Sequence, residues 1–364
     1  MPDITIQDVA RAAGVSAASV SNLLNGRHDR MRSETRLRIE TVIAELGYRP
    51  NPIARQLKTG HAPTLGLLVP TVSNPFFGEL SAAIQESAQA RGYHVLLCNT
   101  LRRPERESDF AEQLLRLGVR GFIAASAFGD PHLTPALVRR GLSVVHFDVR
   151  LSDVPPTGVD IVSIDNRPAS YLATTHLADL GHRTIAYVTA PATVPNRVAR
   201  LQGYRDALRD RGLDEPIVWP LSEPPTESGF EDVAHGELGR QAGIHLAART
   251  PRPTGIVAVH DLVAIGVLSG LREAGLEIPG DVSVVGINDI HLASFTNPSL
   301  TTVRQPLGEM SELAVTRLLQ RLADPGKPSS ETLFAPALIQ RTSSAAPGSA
   351  TWPLARMLGA PKPE

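Results

Sequence analysis

Small side chains and side chains with hydroxyl or amide groups are concentrated in one short stretch near the N-terminus, residues 16–22. Small residues at the start of a helix let that end enter the major groove of DNA, where hydroxyl and amide groups bind phosphates or base edges. The stretch therefore predicts contact with DNA. The candidate residues are Ser16, Ala17, Ala18, Ser19, Ser21 and Asn22.

Three stretches of helical periodicity must position these side chains, over residues 5–13, 16–24 and 33–46. Each one begins at a residue suited to an N-cap and is followed by a glycine that can end a helix. The caps are Thr5, Ser16 and Ser33, the glycines are Gly14, Gly26 and Gly47, and the packing residues are Val9, Val15 and Val20. A turn at Gly14 between two packed helices predicts a helix-turn-helix unit.

Charge is unevenly distributed along the chain, although the formal net charge is only -1. Residues 1–60 hold nine Arg or Lys against six Asp or Glu. An excess of this size agrees with DNA binding but is equally typical of a solvated surface. The prediction of DNA binding therefore rests on the helix-turn-helix motif.

The 364 residues are enough for two or three folded units. The start of the chain has no signal peptide, and no segment reaches the roughly 20 apolar residues of a membrane span. The single cysteine, Cys98, lies in an apolar run and is expected to be a small buried side chain. We therefore expect a cytoplasmic protein, with no membrane association.

From residue 65 onward the pattern changes to short apolar runs separated by amphipathic stretches of helix length, which predicts a parallel sheet wrapped by helices. The runs include LGLLV, YHVLL, GFIAA, LSVVHF, TIAYVT, GIVAV and VSVVGI. Prolines at 50, 52 and 63 indicate a hinge before this part, and the Pro, Gly, Ala and Ser content of residues 345–364 predicts a disordered tail.

The N-terminal segment resembles the lactose-repressor/galactose-repressor family of transcription regulators. The resemblance is carried by the motif over residues 5–25, by SETR at 33–36 and by LGYRPNPIARQL at 46–57. It implies a DNA-binding unit over 1–49 in which Ala17, Ala18 and Asn22 read bases. Members of the family commonly have Arg at the third position; because Asn pairs with adenine and Arg with guanine, we expect an altered operator half-site. Contact with phosphate alone is the alternative for Asn22.

The same resemblance implies a hinge and linker over residues 50–63, with a helix at 52–58 that forms on operator DNA. Leu57 would wedge between central base pairs and Ala54 would lie on the floor of the minor groove, which is a known way to bend a duplex. The alternative for Leu57 is an ordinary apolar linker residue. The further DNA contacts that we expect are Thr5, Asn25, Tyr48 and Asn51.

The rest of the chain resembles the family's periplasmic-binding-protein-like core through about residue 341. Its signatures include residues 165–167, 180–183, 200–204, 279–286 and 300–303. The resemblance implies an α/β core over 64–344 made of two Rossmann-like subdomains, with crossovers near residues 163, 292 and 326. The first subdomain would comprise 64–163 and 293–326, and the second would comprise 164–292 and 327–344.

A ligand between two such sheets contacts residues at the carboxyl ends of strands. Phe76 and Phe77 follow the first strand and either stack on a ligand or belong to the core. Family positions near the ligand correspond to Asp165 and to Arg200, for which a surface charge is the alternative. The candidate effector contacts are Phe76, Phe77, Asp165, Arg200, His260 and Asn288.

Two of these positions depart from the family, because His260 replaces the usual Asn and Asn288 replaces an acid. Each change alters the donors and acceptors of the pocket but keeps it polar. We therefore expect a sugar or a sugar derivative as effector. The alternative is a nucleoside, a purine or another anionic metabolite, with Arg200 and His260 supplying positive character.

Other classes of protein fit the sequence less well. A solute-binding protein would share the core but not the helix-turn-helix, and an enzyme would need a motif that the sequence lacks, such as a nucleophile elbow or a Walker loop. The scattered histidines predict no metal site, and no cofactor is expected. Because the tail lacks the family's tetramerising leucine repeat, we expect a homodimer on a pseudo-palindromic operator.

Overall fold

The computed structural model describes residues 4–24, 31–48, 63–101, 103–125, 132–150, 158–189, 194–213, 216–220 and 231–348. The chain divides into two compact units, residues 1–63 and 64–364. Several predictions lie outside the described residues: the helix end at Gly26, the hinge helix over 52–58, and the DNA contacts Asn25, Asn51, Ala54 and Leu57.

The N-terminal unit contains helices α1 (Ile6–Ala13), α2 (Ala17–Leu24) and α3 (Ser33–Leu46). Gly14 and Gly47 end α1 and α3 in the left-handed region, at φ 63° and 61°, which glycine adopts without a steric cost. The prediction that Ser33 caps α3 is wrong. Arg32 is the N-cap, because its backbone is extended and its carbonyl accepts the first helical bond from Arg36 N–H.

The larger unit alternates strands and helices, as the apolar runs predict. Its strands are β1 (Thr64–Val69), β2 (His94–Asn99), β3 (Gly121–Ala124), β4 (Ser143–Phe147), β5 (Asp160–Ile164), β6 (Ile185–Thr189), β7 (Ile217–Pro220), β8 (Gly255–Ala258), β9 (Ser283–Asn288), β10 (Thr301–Arg304), β11 (Ser330–Phe334) and β12 (Ala337–Ile339). Its helices are α4 (Pro75–Gln89), α5 (Pro104–Arg116), α6 (Leu133–Arg139), α7 (Asn166–Asp179), α8 (Pro195–Asp210), α9 (Glu231–Ala247), α10 (Asp261–Glu273) and α11 (Leu307–Ala323), with a short 3₁₀ helix at His291–Ser294.

These strands form two six-stranded sheets, one in each subdomain. The first sheet has the order β11-β5-β4-β3-β1-β2 and is parallel throughout. The second has the order β12-β10-β9-β8-β6-β7 and is parallel except for the pair β10 and β12. Parallel strands covered by helices on both faces are buried along their length, which explains the continuous apolar runs.

Two of the three expected crossovers are misplaced. Strand β10 belongs to the second sheet, where it pairs with β9, so the chain crosses near residue 305 rather than 292. Strand β11 belongs to the first sheet, where it pairs with β5, so the third crossover is near residue 335 rather than 326. The sheet to which a strand belongs is decided by tertiary contacts that the local apolar pattern does not contain.

The core extends beyond residue 344, where the sequence predicts the start of a disordered tail. The carbonyl of Ala345 accepts hydrogen bonds from Ser283 Oγ at 3.1 Å and lies 2.9 Å from His182 Nε2. Buried Ser343 donates to the carbonyl of Val284 at 2.6 Å. These contacts attach the end of the core to β9, and residues 349–364 lie outside the described ranges.

Candidate DNA-binding helix and ligand cleft

Helix α1 begins with a reciprocal cap between Thr5 and Asp8. Asp8 N–H donates to Thr5 Oγ1 at 3.3 Å, and Thr5 N–H donates to Asp8 Oδ2 at 3.0 Å. The hydrogen bonds from Thr5 also lower the pKa of Asp8. Thr5, predicted to contact DNA, thus has a clear local role in starting the first helix of the motif.

The crossing of α1, α2 and α3 depends on a small apolar core. Val9, Val20 and Ile39 are completely buried, and Val15 packs against them, as predicted. Tyr48, another predicted DNA contact, is half-buried and also packs against this core. A rigid core of this kind holds α2 in one orientation relative to α1, which a base-reading helix requires.

The exposed face of α2 carries the predicted base readers Ala18 and Asn22, which are four residues apart and so lie on the same side of the helix. Ala17 is half-buried against the core, which leaves it less available than the sequence suggests. Ser16 Oγ caps α2 by accepting from Ser19 N–H at 3.1 Å and lies 3.0 Å from Ser19 Oγ. Ser19 and Ser21 are half-buried.

In the larger unit, the two predicted ligand residues that follow β1 both contact the main apolar core. Phe76 is 4% exposed and belongs to the main apolar core. Its ring centroid is 5.2 Å from that of Phe77, at an interplanar angle of 75°. Phe77 is half-buried. Of the two roles that the sequence leaves open, this burial favours core packing for Phe76.

Arg200 on α8 is buried, with 4% of its surface exposed, so it is not a surface charge. Its Nε donates to Asn166 Oδ1 at 2.7 Å, and its Nη1 donates to the carbonyl oxygen of Val259 at 2.7 Å. Val259 directly follows β8. The guanidinium is therefore held at the carboxyl end of the second sheet, the edge where a ligand is expected.

Asp148 is a candidate that the sequence analysis missed. It follows β4 with φ 61°, and its carboxylate accepts from Asn166 Nδ2 at 2.9 Å and from Asn196 Nδ2 at 2.7 Å. These bonds join the end of a first-sheet strand to the N-terminal turns of α7 and α8 in the second subdomain. The position directly after the apolar run 142–147 is the signal that identifies it.

His260 and Asn288 follow β8 and end β9. His260 is the N-cap of α10, and its Nδ1 accepts from Val263 N–H at 3.4 Å. The ring of His235 on α9, which the sequence analysis did not single out, lies 5.6 Å from it. Asn288 has φ 129°, and its Oδ1 accepts from Gln305 Nε2 at 2.8 Å. Both positions are nearly buried at the same sheet edge.

Asp261, the acid that follows His260, forms hydrogen bonds to two other segments at this sheet edge. Asp261 is completely buried, and its carboxylate accepts from Thr302 Oγ1 at 2.5 Å and from Ile290 N–H at 2.9 Å. Burial raises the pKa of Asp261 to about 7, against the opposing effect of these two hydrogen bonds. Its carboxylate therefore links α10 to β10 and to the chain after β9.

A cavity of about 540 Å³ lies beside Asp148, between α7, α8 and the residues that follow β4. Asp165 is the predicted effector contact that lines it, and Arg150 Nη1 is 3.7 Å from its Oδ1. Phe76, Phe77, Arg200, His260 and Asn288 are not among its lining residues. The structure thus links Arg200 to Asp148 through Asn166.

A second contact joins the two subdomains. Glu79 on α4 accepts from the backbone N–H of His291 at 2.8 Å, and its Oε1 is 3.1 Å from His291 Nδ1.

Within the described ranges every helix is too short or too polar to span a bilayer. The same ranges hold no cluster of three or more His, Cys, Asp or Glu suited to a metal ion.

The sequence matches two family profiles. Bacterial regulatory proteins of the lacI family match over residues 5–51, and a periplasmic binding protein-like domain matches over residues 174–344. The first match covers the helix-turn-helix, and the second covers most of the second subdomain and the end of the core.

Relatives align over nearly the whole chain. The ribose operon repressor of Escherichia coli strain K12 is 33% identical over 344 residues, which are 93% of this chain and 99% of the relative. The regulator GalR of the same organism is 31% identical over 94% of this chain and 96% of its own length. The repressor PurR of Mannheimia succiniciproducens is 31% identical over 88% of this chain and 92% of its own length.

Two solved structures resemble the fold closely. The Lac repressor dimer bound to operator and an anti-inducer matches with a TM-score of 0.81 and 25% identity, over 94% of this chain and all of that one. A LacI family regulator from Enterococcus faecium with bound ribose matches with a TM-score of 0.68 and 28% identity, over 78% of this chain and 99% of that one.

Proposed function

Because this chain belongs to the LacI family of bacterial regulatory proteins, we propose that it is a repressor that binds a pseudo-palindromic operator as a homodimer in the cytoplasm. A sugar or sugar derivative, bound at the carboxyl ends of the two sheets, sets its operator affinity. The exposed face of α2 carries this proposal, because Ala18 and Asn22 are exposed there on a helix held by the core of α1 and α3.

Selection of binding sites from random DNA with the full-length protein tests whether the protein binds a pseudo-palindromic operator. We expect an inverted repeat, because two copies of one helix read two half-sites related by a two-fold axis. A fluorescence anisotropy titration with the selected site should then respond to sugars related to those of the relatives. Selection of no inverted repeat, or an operator affinity that no metabolite extract changes, would contradict the proposed function.

Replacement of Asn22 by Arg is expected to change the preferred base at one position of each half-site. The amide of Asn pairs with adenine, and a guanidinium pairs with guanine, so the preference should shift from adenine to guanine by about tenfold. Parallel site selection with wild-type and N22R protein measures the shift. The Asn22→Ala variant is the matched control, because it should lose the adenine preference without gaining one for guanine. An unchanged preference in N22R would show that Asn22 contacts only phosphate.

The relatives support the proposal that the effector is a sugar or a sugar derivative. One is named for the ribose operon, and a similar structure contains ribose, which favours a sugar or a sugar derivative here. A purine is the second candidate, since a relative of comparable identity is PurR. A solute-binding protein would share the core but not the lacI-family segment at residues 5–51.

Ligand binding changes operator affinity only if it favours one arrangement of the two subdomains. Polar contacts between the subdomains hold the arrangement described here, among them those of Asp148 with Asn166 and Asn196 and that of Glu79 with His291. An effector between the sheets would compete with these contacts or add to them. We propose that this changes the spacing of the two hinges and so stabilises or melts the hinge helices at 52–58.

The homodimer is supported by exposed apolar side chains on the core. Phe295 is 79% exposed and Leu292 is 48% exposed, three residues apart in the chain after β9, and Leu96 and Leu97 are exposed on the edge strand β2. Adjacent large apolar residues on a surface mark an interaction site. A similar structure, the Lac repressor, is a dimer. We therefore propose that these two patches meet their copies in a second chain.

Replacement of Phe295 by Asp is expected to weaken the dimer by about tenfold or more, because burying a carboxylate in an apolar interface is unfavourable. Sedimentation velocity over a dilution series measures the change. V198D is the matched control, since Val198 on α8 is 50% exposed but lies outside both patches. Equal dissociation constants for wild-type and F295D protein would place the interface elsewhere.

A further inference from the structure

Positive charge is concentrated where α5 and α6 lead into β3 and β4. Residues 113–123 and 132–147 hold four arginines and no Asp or Glu, although the whole chain has a formal net charge of -1. All four arginines are exposed. We refer to them as the arginine patch, which consists of Arg116, Arg120, Arg139 and Arg140.

Packing in the first subdomain brings the two halves of the arginine patch together. Helices α5 and α6 cover the same apolar cluster, so their carboxyl ends lie on one face of the sheet. Arg140, directly after α6, donates from Nη2 to Glu112 Oε2 on α5 at 3.0 Å. The carbonyl of Arg120 accepts from Ser143 N–H at 2.8 Å. The two turns that carry the patch are therefore neighbours.

Contacts within the subdomain account for only part of this charge. Glu112 compensates Arg140, with which it forms an ion pair. Across the described ranges, neither Arg120 nor Arg139 belongs to an ion pair. The helix dipole favours a basic residue in the last turn, which explains Arg116 and Arg139 but not Arg120, which lies beyond α5. The arginine patch thus keeps an excess of positive charge at the surface.

The chain enters the core at the same edge of the first sheet. Strand β1 begins at Thr64, and its parallel register with β3 places Arg120 at the level of Thr64. A hinge helix over residues 52–58 in the minor groove would leave residues 59–63 between the DNA and β1. Five residues span at most about 18 Å even when fully extended. A bound hinge helix would therefore keep this edge of the sheet close to the DNA.

We propose that the arginine patch binds backbone phosphates of the DNA beside the operator centre, so that the core makes a DNA contact of its own. The inference rests on the proposed function, because it needs a hinge helix bound at the operator. Duplex DNA carries one negative charge per about 1.7 Å of its axis, and neutralising a phosphate releases condensed counterions. Guanidinium groups bind phosphate oxygens in a bidentate manner. Such contacts add affinity without selecting bases.

The test measures how operator affinity depends on salt. Fluorescence anisotropy titrations use the full-length protein and the selected operator with flanking DNA, between about 50 and 200 mM salt. The R120Q/R139Q variant removes four arginines from a dimer. Because each phosphate contact contributes about 0.9 to the slope of log K against log salt, the slope should become shallower by about 2 to 4. Affinity at the lowest salt concentration should fall by about tenfold or more.

Three comparisons separate phosphate binding from a general effect of charge or structure. R183Q/R249Q is the matched control, because both arginines are exposed in the turns that lead into β6 and β8 of the second sheet. It changes the net charge equally and should keep the wild-type slope. R120K/R139K should keep most of the slope, because lysine also binds phosphate. Site selection with R120Q/R139Q should return the wild-type operator, because phosphate contacts carry no sequence information.

Three results would overturn the inference: equal salt slopes in wild-type and R120Q/R139Q protein, an equal decrease in R183Q/R249Q, or a changed operator preference in R120Q/R139Q. In each of these cases the wild-type protein still selects an inverted repeat, so the proposed function stands while the contact between core and DNA is removed. Failure of wild-type protein to select any operator would instead remove the proposed function, and the inference with it.

Discussion

The Arg321→Ala variant is expected to lose about 3–5 kcal/mol of unfolding free energy, because it leaves a buried carboxylate unpaired. Arg321 on α11 is almost completely buried, and its Nε donates to Asp160 Oδ2 of β5 at 2.8 Å. Its other nitrogens donate to the carbonyls of Lys327 and Pro328 at 2.9 and 3.0 Å. One side chain thus joins α11, strand β5 of the first sheet and the loop that leads into β11.

Urea denaturation followed by circular dichroism measures the loss, and two variants serve as comparisons. Arg140→Ala removes an exposed pair with Glu112 in the same subdomain and should have a much smaller effect, because exposed pairs are screened by water. The double variant R321M/D160L removes both charges and should recover much of the stability. A loss in Arg321→Ala no larger than that in Arg140→Ala would contradict this account of the pair.

The Gly266→Ala variant is expected to destabilise the second subdomain by about 3 kcal/mol, near the upper end of the usual cost of overpacking. A Cβ atom at Gly266 on α10 would lie 1.9 Å from the carbonyl oxygen of Gly236 on α9. The contact is with backbone, so no side-chain rotation relieves it. Gly270 and Gly239 meet the opposite helix in the same way, at 1.9 and 2.4 Å, so separating the helices would disturb all these contacts.

Gly78→Ala is the matched control for this prediction. Gly78 also lies within a helix, α4, but a Cβ atom there would meet nothing within 4 Å. Alanine should therefore stabilise the protein at this position by up to about 1 kcal/mol, because it restricts the unfolded chain and favours the helix. Opposite signs for the two variants in thermal unfolding are the expected result. Equal or stabilising effects at both positions would show that α9 and α10 do not need this close approach.

A chain of polar contacts links the proposed effector site to the boundary between the subdomains. It runs from Val259 through Arg200 and Asn166 to Asp148, and Asn196 binds the other oxygen of that carboxylate. Asp148 belongs to the first subdomain and the remaining residues belong to the second. A ligand that moves Arg200 would therefore act on the contact that holds the two sheet edges in this arrangement.

Much of the local structure follows from the sequence alone. The cap at Thr5, the left-handed turn at Gly14 and the packing of Val9 with Val20 depend on residues that are close in the chain, and the structure agrees with all three predictions. The apolar runs identify β1 to β4, β6, β8 and β9. All of these except the edge strand β2 are buried, and buried parallel strands need apolar residues on both faces. The class of fold and the DNA-binding motif could be predicted from these features.

The tertiary structure alone decided which distant residues meet. No local pattern assigns β10 to the second sheet and β11 to the first, binds buried Arg200 to the carbonyl of Val259, or joins Asp148 to Asn196 across the two subdomains. Periodicity and capping report interactions within a few residues, whereas edge-strand pairing, burial of charge and backbone contacts between helices depend on the packing of the whole subdomain. For that reason the sequence determined the elements and the motif, and the three-dimensional packing determined the candidate effector site.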